Sequence, residues 1–338
     1  MPSNLKKNIR KASSYNSIMI FLFIIFILGI SFLSSFFYSN LPDSNPLKTS
    51  SLYTLILYII QYVVLIPLLI ILFYKTKHGK AAPKLKDCIC KPKMPVSQII
   101  KWLFISLFFV YAASFISNIL FNIIQMLTNI EMHPAQINAD NSLLNIFTNT
   151  LSIMFFAPIF EEAFFRGTLL RNSARYGSWS MIVAMGIMFG LWHINYAQTI
   201  YTAALGICAG FLIIKSGSIV PSLLLHFIMN TIGTVQVFIS GSIDAEKLTS
   251  MDLNYMTENI IPIMISSMVG FLIIGIMITG LILLIIELAK HHLNGFKLPC
   301  EYTEMSEKKK FAIYFSSPIT IVITLGLIGL TIYNALTL

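Results

Sequence analysis

Long apolar stretches run through the whole chain and are separated by short loops that hold most of its charge. Of the 338 residues, 56% are hydrophobic and 11% are charged, whereas a soluble domain carries about 25% charged residues. A water-soluble globule could not bury so much apolar surface. This excludes a cytosolic enzyme, a disordered protein and a small disulfide-stabilised secreted domain. Stretches of about 20 apolar residues indicate membrane-spanning helices rather than the strands of a barrel.

The apolar stretches define the predicted fold class. We predict an all-α polytopic membrane protein, a bundle of about nine transmembrane helices, because each stretch is continuous and bounded by polar or turn-forming residues. The predicted helices lie in or near residues 17–37, 52–74, 99–127, 145–170, 179–194, 198–214, 218–239, 260–288 and 312–335.

The positions of the basic residues predict the orientation of the bundle. If the N-terminus is cytoplasmic and the helices alternate, every Lys and Arg except Lys48 and Lys247 lies on the cytoplasmic side. Lys and Arg are enriched in cytoplasmic loops of membrane proteins. We therefore expect a multi-pass protein of a bacterial plasma membrane, with the C-terminus outside. The net charge of +9 reflects this topology and the contact with lipid, and no nucleic-acid partner is expected.

One loop and two pairs of glycines have their own predicted roles. The loop 75–98 is rich in Lys and Pro and is interpreted as a linker. The pairs Gly186/Gly190 and Gly206/Gly210 have the G-x-x-x-G spacing that lets membrane helices pack closely.

The four cysteines are interpreted as reduced thiols, with a weak alternative in which three of them bind a metal ion: Cys88, Cys90 and Cys300.

Charged residues inside the apolar stretches are costly, at least about 2.5 kcal/mol each near the bilayer centre, and so point to function. The sequence FEEAFFRG contains Glu161, Glu162 and Arg166. Glu162 and Arg166 are four residues apart on one helix face and are predicted to form an ion pair. Glu161 points to another face, where it has no local counter-ion. We interpret Glu162 and Arg166 as structural support and Glu161 as a functional carboxylate.

The next apolar helices carry two histidines with the same spacing to a neighbour. Phe189 and His193 are four residues apart in FGLWHIN, and His226 and Asn230 are four apart in LLLHFIMN. At about 1.5 Å rise per residue, Glu161, both histidines and Asn230 can meet at one depth of the membrane. A lone histidine is usually a core residue, but this set of polar groups on nearby helices indicates a site.

These groups suit the attack of water on an amide carbonyl. Glu161 could act as the general base, His193 could orient the water, and His226 with Asn230 could donate hydrogen bonds to the oxyanion. The local signatures of serine hydrolases and zincins are absent from the sequence. A zinc site formed by Glu161, His193 and His226 stays open as the alternative, and no cofactor is otherwise expected.

The three motifs, in this order and on separate helices, resemble those of the CPBP intramembrane proteases, also called the Abi or CAAX-protease family. The resemblance implies a membrane-embedded peptidase in which Glu161 and His193 activate water and His226 and Asn230 form the oxyanion hole. It implies supporting roles for Glu162 and Arg166, beside Phe189. It also implies a family core at 99–290, flanked by 1–98 with two helices and a basic loop, and by 291–338 with the last loop and helix.

The predicted function is that of an intramembrane endopeptidase with a cytoplasm-facing cavity and a membrane-associated peptide or protein as substrate. A non-catalytic scaffold or an immunity or regulatory protein of the same fold is one alternative. A proton-coupled transporter is another, although no internal repeat or pair of broken helices supports it. The natural substrate, the pathway and the oligomeric state stay open.

Overall fold

The computed structural model describes residues 2–42, 45–48, 50–129, 132 and 142–337. Within these residues the protein is all-α, and eight helices are long and apolar enough to cross a membrane. The predicted polytopic helical bundle is confirmed. The spans are α1 (Asn4–Asn40), α2 (Ser51–Lys75), α3 (Val96–Thr128), α4 (Leu143–Ala174), α6 (Tyr196–Ser216), α7 (Val220–Ser240), α8 (Ile260–His291) and α10 (Pro318–Thr337), with the shorter α5 (Ser178–Trp192) and α9 (Glu307–Phe315) between them.

Three boundaries differ from those predicted. The helix that contains the span α1 runs over Pro2–Asn40 and so begins well before residue 17, because the basic segment buries Ile9 and Ala12 in the core. The last apolar stretch is divided into α9 and α10, where Pro318 cannot continue the preceding helix. The fifth helix has 15 residues and is about 22 Å long, short for a complete span. Short helices occupy the loops at Lys77–Lys80, Ala245–Thr249 and Leu253–Glu258.

Two of the spans contain wider π-helical turns. They occur in α2 at Ile59–Leu65 and in α4 at Thr150–Phe156 and Glu162–Leu170. Such turns frequently occur at functional sites, because the extra residue changes the direction of the following side chains. In α4 the second π-helical segment begins at Glu162, so the two adjacent glutamates lie at the junction of two helix geometries.

The helices α5 and α6 pack closely through their glycines, as the G-x-x-x-G spacing predicts. A Cβ atom on Gly206 would lie 2.8 Å from the Cα of Gly186, and one on Gly186 would lie 3.0 Å from the carbonyl oxygen of Ala203. A Cβ on Gly190 would overlap the carbonyl oxygen of Thr199. Only glycine allows the two backbones to approach this far, and this approach places the end of α5 beside the start of α6.

The segment predicted as a linker is bound to the bundle. We call residues 81–93 the strap. Its backbone exchanges hydrogen bonds with the α6–α7 turn, from Lys93 N to Ser216 O and from Ile219 N to Cys88 O, both at 2.9 Å. The guanidinium of Arg171 in α4 donates to Lys84 O at 2.6 Å. These bonds fix the strap across the ends of three helices, so this part of the loop is not a free spacer.

Hydrogen bonds join the helix α9 to the start of α5. The carboxylate of Glu307 accepts hydrogen bonds at 2.7 Å from the Ser180 N–H and hydroxyl, and from Lys310 Nζ. Burial alone would raise the pKa of Glu307, but the hydrogen bonds from Lys310 and Ser180 outweigh it and the net pKa is lowered. For Lys310, burial opposes the charge, but its bonds to Glu307 and Cys300 raise the pKa. The pair therefore stays ionised near neutral pH.

Replacement of Gly190 by Ala should destabilise the fold, because the new methyl group overlaps Thr199 O. We expect a loss of about 1–3 kcal/mol, as for other overpacked sites, measured by thermal unfolding in detergent. Gly275→Ala in α8 is the matched control, since a Cβ there meets no atom within 4 Å. Equal melting temperatures for the two variants would contradict the close packing of α5 and α6.

Candidate active site

The four residues predicted to be catalytic line one cavity of about 450 Å³ inside the bundle. Glu161 comes from α4, His193 follows α5, and His226 and Asn230 come from α7. Glu161 and His226 are almost completely buried. Side chains up to 69 residues apart in the sequence are thus brought to one cavity.

The carboxylate of Glu162 is the centre of the supporting contacts. Its Oε1 atom accepts a hydrogen bond from Nδ1 of His226 at 2.9 Å and lies 3.0 Å from Nη1 of Arg166. The predicted ion pair between Glu162 and Arg166 is therefore present, and both side chains are fully buried. The guanidinium of Arg166 lies 3.9 Å from the centre of the Phe189 ring. One carboxylate thus connects α4 with α7 and, through Arg166, with α5.

Glu161 faces the cavity and has a partner that the sequence did not indicate. Its Oε1 atom accepts a hydrogen bond from the Tyr62 hydroxyl of α2 at 3.2 Å. Its Oε2 atom lies 3.9 Å from Nε2 of His226 and has no hydrogen-bond partner in the protein. One carboxylate oxygen is therefore held in place and the other is available to a reacting group.

His193 is fixed by its own helix. Its Nδ1 atom lies 2.8 Å from the carbonyl oxygen of Phe189. Because a carbonyl oxygen can only accept, Nδ1 carries the proton and Nε2 of a neutral ring keeps a lone pair. The ring also meets Phe189 edge to face, with the ring centres 4.8 Å apart. This geometry gives a histidine that can accept a hydrogen bond from a water molecule or a substrate.

Asn230 is held by the first π-helical segment of α4. Its Nδ2 atom donates to the carbonyl oxygen of Ile153 at 2.8 Å. An amide nitrogen carries two N–H groups, so one of them is still free to donate. The side chain lines the same cavity as Glu161. The contact with Ile153 explains how a flexible amide keeps one orientation there.

Further polar residues of the cavity were missed by sequence reasoning. The hydroxyl groups of Tyr111 in α3 and Thr234 in α7 line it, and both are buried without a hydrogen-bond partner in the protein. Buried polar groups in proteins are normally hydrogen-bonded. Single aromatic or hydroxyl residues within apolar helices carry no distinguishing pattern in the sequence, so only the packing of α2 and α3 against α4 and α7 reveals them.

The residues of the zinc alternative form no ready metal site. Among the described residues, no group of three His, Cys, Asp or Glu side chains is placed to hold a metal ion, and this includes the cysteines, which are free thiols. In the proposed zinc set, Nδ1 of His226 is bonded to Glu162 and Nδ1 of His193 to Phe189. Each ring would therefore offer Nε2 to a metal ion, as metal-binding histidines commonly do. The mechanism proposed below uses no metal ion, and zinc stays the alternative to it.

The fold and the cavity define a class: a polytopic helical membrane protein with a buried carboxylate and two histidines around an internal cavity. Residues 143–232 match the family model described as type II CAAX prenyl endopeptidase Rce1-like. This segment is thus similar to the CAAX-protease family, and the predicted resemblance is confirmed over these residues. The match covers α4 to α6 and the first half of α7. Neither the curated proteins nor the solved structures gave a significant match to the chain.

Loss of Arg166 should strongly destabilise the protein. Arg166→Met leaves the buried Glu162 carboxylate without its guanidinium, and breaking a buried pair costs about 3–5 kcal/mol. Lys6→Met at an exposed position is the control and should change stability by less than about 0.5 kcal/mol. Thermal unfolding in detergent measures both.

The double variant Glu162→Gln with Arg166→Met separates the ion pair from simple packing. It removes both charges, so it should recover part of the stability lost in the Arg166→Met protein. A double variant less stable than Arg166→Met alone would contradict the assignment of Glu162 and Arg166 as a coupled pair.

Proposed function

We propose that the protein is an intramembrane endopeptidase that hydrolyses a peptide bond of a membrane-associated peptide or protein. The observation that carries the proposal is the free Oε2 atom of Glu161, 3.9 Å from Nε2 of His226 in a cavity shared with His193 and Asn230. A general base and a hydrogen-bond donor this close can act in one reaction, the base on the attacking water and the donor on the oxygen of the carbonyl group.

The proposed first step is the addition of water to the scissile carbonyl. Glu161 removes a proton from water while Nε2 of His193 accepts a hydrogen bond from the same molecule. The water oxygen bonds to the carbonyl carbon, and the carbonyl oxygen becomes an oxyanion. The free N–H of Asn230 and an N–H at Nε2 of His226 donate to that oxyanion. Tyr62 holds the other oxygen of Glu161 in place during the transfer.

The second step breaks the carbon–nitrogen bond. The oxyanion re-forms the carbonyl, and the leaving nitrogen takes the proton from Glu161. The products are a new carboxylic acid and a new amine, and Glu161 returns to its starting form. Transfer of the acid's proton to the amine then gives a carboxylate and an ammonium group. Donation from Nε2 of His226 to the oxyanion requires a proton on each ring nitrogen, because Nδ1 already donates to Glu162.

We propose that the enzyme lies in a bacterial plasma membrane with the N-terminus cytoplasmic and the C-terminus outside. The distribution of basic loops supports this orientation. The reaction is proposed to proceed without a metal ion or cofactor. Prenylated substrates are suggested only by the description of the matched family. We propose membrane-associated peptides in general as substrates.

Glu161→Gln should abolish peptidase activity. A glutamine cannot accept the proton, and loss of a general base costs about 10²- to 10⁴-fold in rate. The assay is cleavage of a quenched membrane-peptide library by the purified protein, with and without a strong chelator. Glu258→Gln at an exposed position is the control with unchanged activity.

The two arms of that assay separate the alternatives. Wild-type activity that survives the chelator and disappears in Glu161→Gln supports the proposed mechanism. Activity lost on chelation would instead require a metal ion. A wild-type protein without activity on any library member would favour the scaffold or transporter alternative. A Glu161→Gln protein as active as the wild type would remove Glu161 from the mechanism.

Tyr62→Phe should lower kcat while leaving KM and the fold nearly unchanged. The substitution removes only the hydroxyl that donates to Glu161, a bond worth about 1.5–3 kcal/mol when the acceptor is charged, which corresponds to about 10- to 150-fold in rate. Tyr58→Phe is the matched control, since Tyr58 lines the same cavity one turn earlier without a bond to Glu161. Equal rates for the two variants would remove Tyr62 from the mechanism.

A further inference from the structure

The cavity extends from the catalytic groups towards one end of the bundle only. We call the end at which α4 and α6 finish and α7 begins the basic face, since it holds Arg171, Arg175 and Lys215, and the other end the opposite face. On α6 the lining residues lie in the half nearest its start, and on α7 they continue to the last turn. These residues are Gln198, Tyr201, Thr202 and Leu205 on α6, and His226, Met229, Asn230, Gly233, Thr234, Gln236 and Val237 on α7.

Helix geometry gives the depth of these positions. At about 1.5 Å rise per residue, Glu161 lies about 20 Å from the end of α4 at the basic face. Gln236 is exposed and lies about 6 Å from the end of α7 at the opposite face. The cavity therefore connects the catalytic level with the opposite face.

The basic face of the site is closed by packing. The side chains between the catalytic groups and that face are almost fully buried on every site helix. They are Phe165, Arg166, Leu169 and Leu170 of α4, Met185 and Phe189 of α5, Leu212 of α6, and Ser222 and Leu225 of α7. Among the described residues, this layer of buried side chains separates the basic face from Glu161.

The strap adds a second closure on the same face. It lies across the α6–α7 turn through the bonds of Lys93 and Cys88, and across the end of α4 through Lys84 and Ala81, which accept from Arg171 and Arg175 at 2.6 and 2.8 Å. A side chain on Gly167 would overlap Leu85 of the strap. The packed end of the cavity is therefore the end that holds the basic residues of α4 and α6.

We propose that the substrate enters from the opposite face, as an extended peptide segment on the outer side of the membrane. This inference rests on the proposed function. The unpartnered hydroxyls of Tyr111 and Thr234 line this route, and an extended peptide brings unpaired N–H and C=O groups that could bond to them. Since the basic loops mark the cytoplasmic side, the substrate class is an exported or membrane-anchored peptide whose scissile segment lies outside.

The test is the accessibility of single cysteines to a membrane-impermeant maleimide. One variant carries Gln236→Cys with the four natural cysteines replaced by Ala. The matched control keeps only Cys90, which is exposed on the strap at the basic face. Each full-length protein is labelled in intact cells and in inside-out vesicles. Because labelling needs no catalysis, its result is independent of whether the protein is a peptidase.

The expected result is that the Gln236→Cys protein reacts in intact cells, whereas the Cys90 protein reacts only in inside-out vesicles. Reaction of both from the same side would overturn the proposal. Reaction of Cys90 in intact cells would overturn the assignment of the opposite face to the outside. Gln198→Cys, at the start of α6 on the same route, replaces Gln236→Cys if that variant fails to fold.

Discussion

The buried carboxylate of Glu162 is the contact on which the site depends. It lies in α4, bonds to His226 of α7, and pairs with Arg166, whose guanidinium stacks on Phe189 of α5. A buried charge is stable only when it is paired and hydrogen-bonded. The contacts of this one group therefore connect three helices, which also carry Glu161 and His193.

The helices outside the matched segment complete the site. The family model ends within α7 and begins with α4, yet Tyr62 of α2 bonds to Glu161 and Tyr111 of α3 lines the cavity. A carboxylate in an apolar bundle gains from any donor that packing can bring to it. The predicted division of the chain at residue 98 thus separates α2 in sequence from a site that it touches in space.

The direction of the cavity follows from how the helix ends are covered. At the basic face, the strap and a layer of buried side chains close the bundle around Gly167 and Leu170. At the opposite face, the cavity reaches the exposed Gln236. The charge of the loops predicts the orientation of the chain in the membrane, but it does not predict which end of a cavity is closed by packing. This difference explains why the open end of the cavity could not be predicted from loop charge.

Much of the architecture could be predicted because it rests on local patterns. Continuous apolar stretches define the helices, the spacing of Glu162 and Arg166 defines their ion pair, and Gly186 with Gly206 defines a close helix contact. The bond from Tyr62 to Glu161, the bond of Glu162 to His226 and the fixed strap join residues far apart in the chain. The sequence alone determined the membrane fold and the candidate groups, since hydrophobicity and helix periodicity are local properties. Only the tertiary structure decided their partners and the open side of the cavity, because both arise from packing between helices that no local pattern encodes.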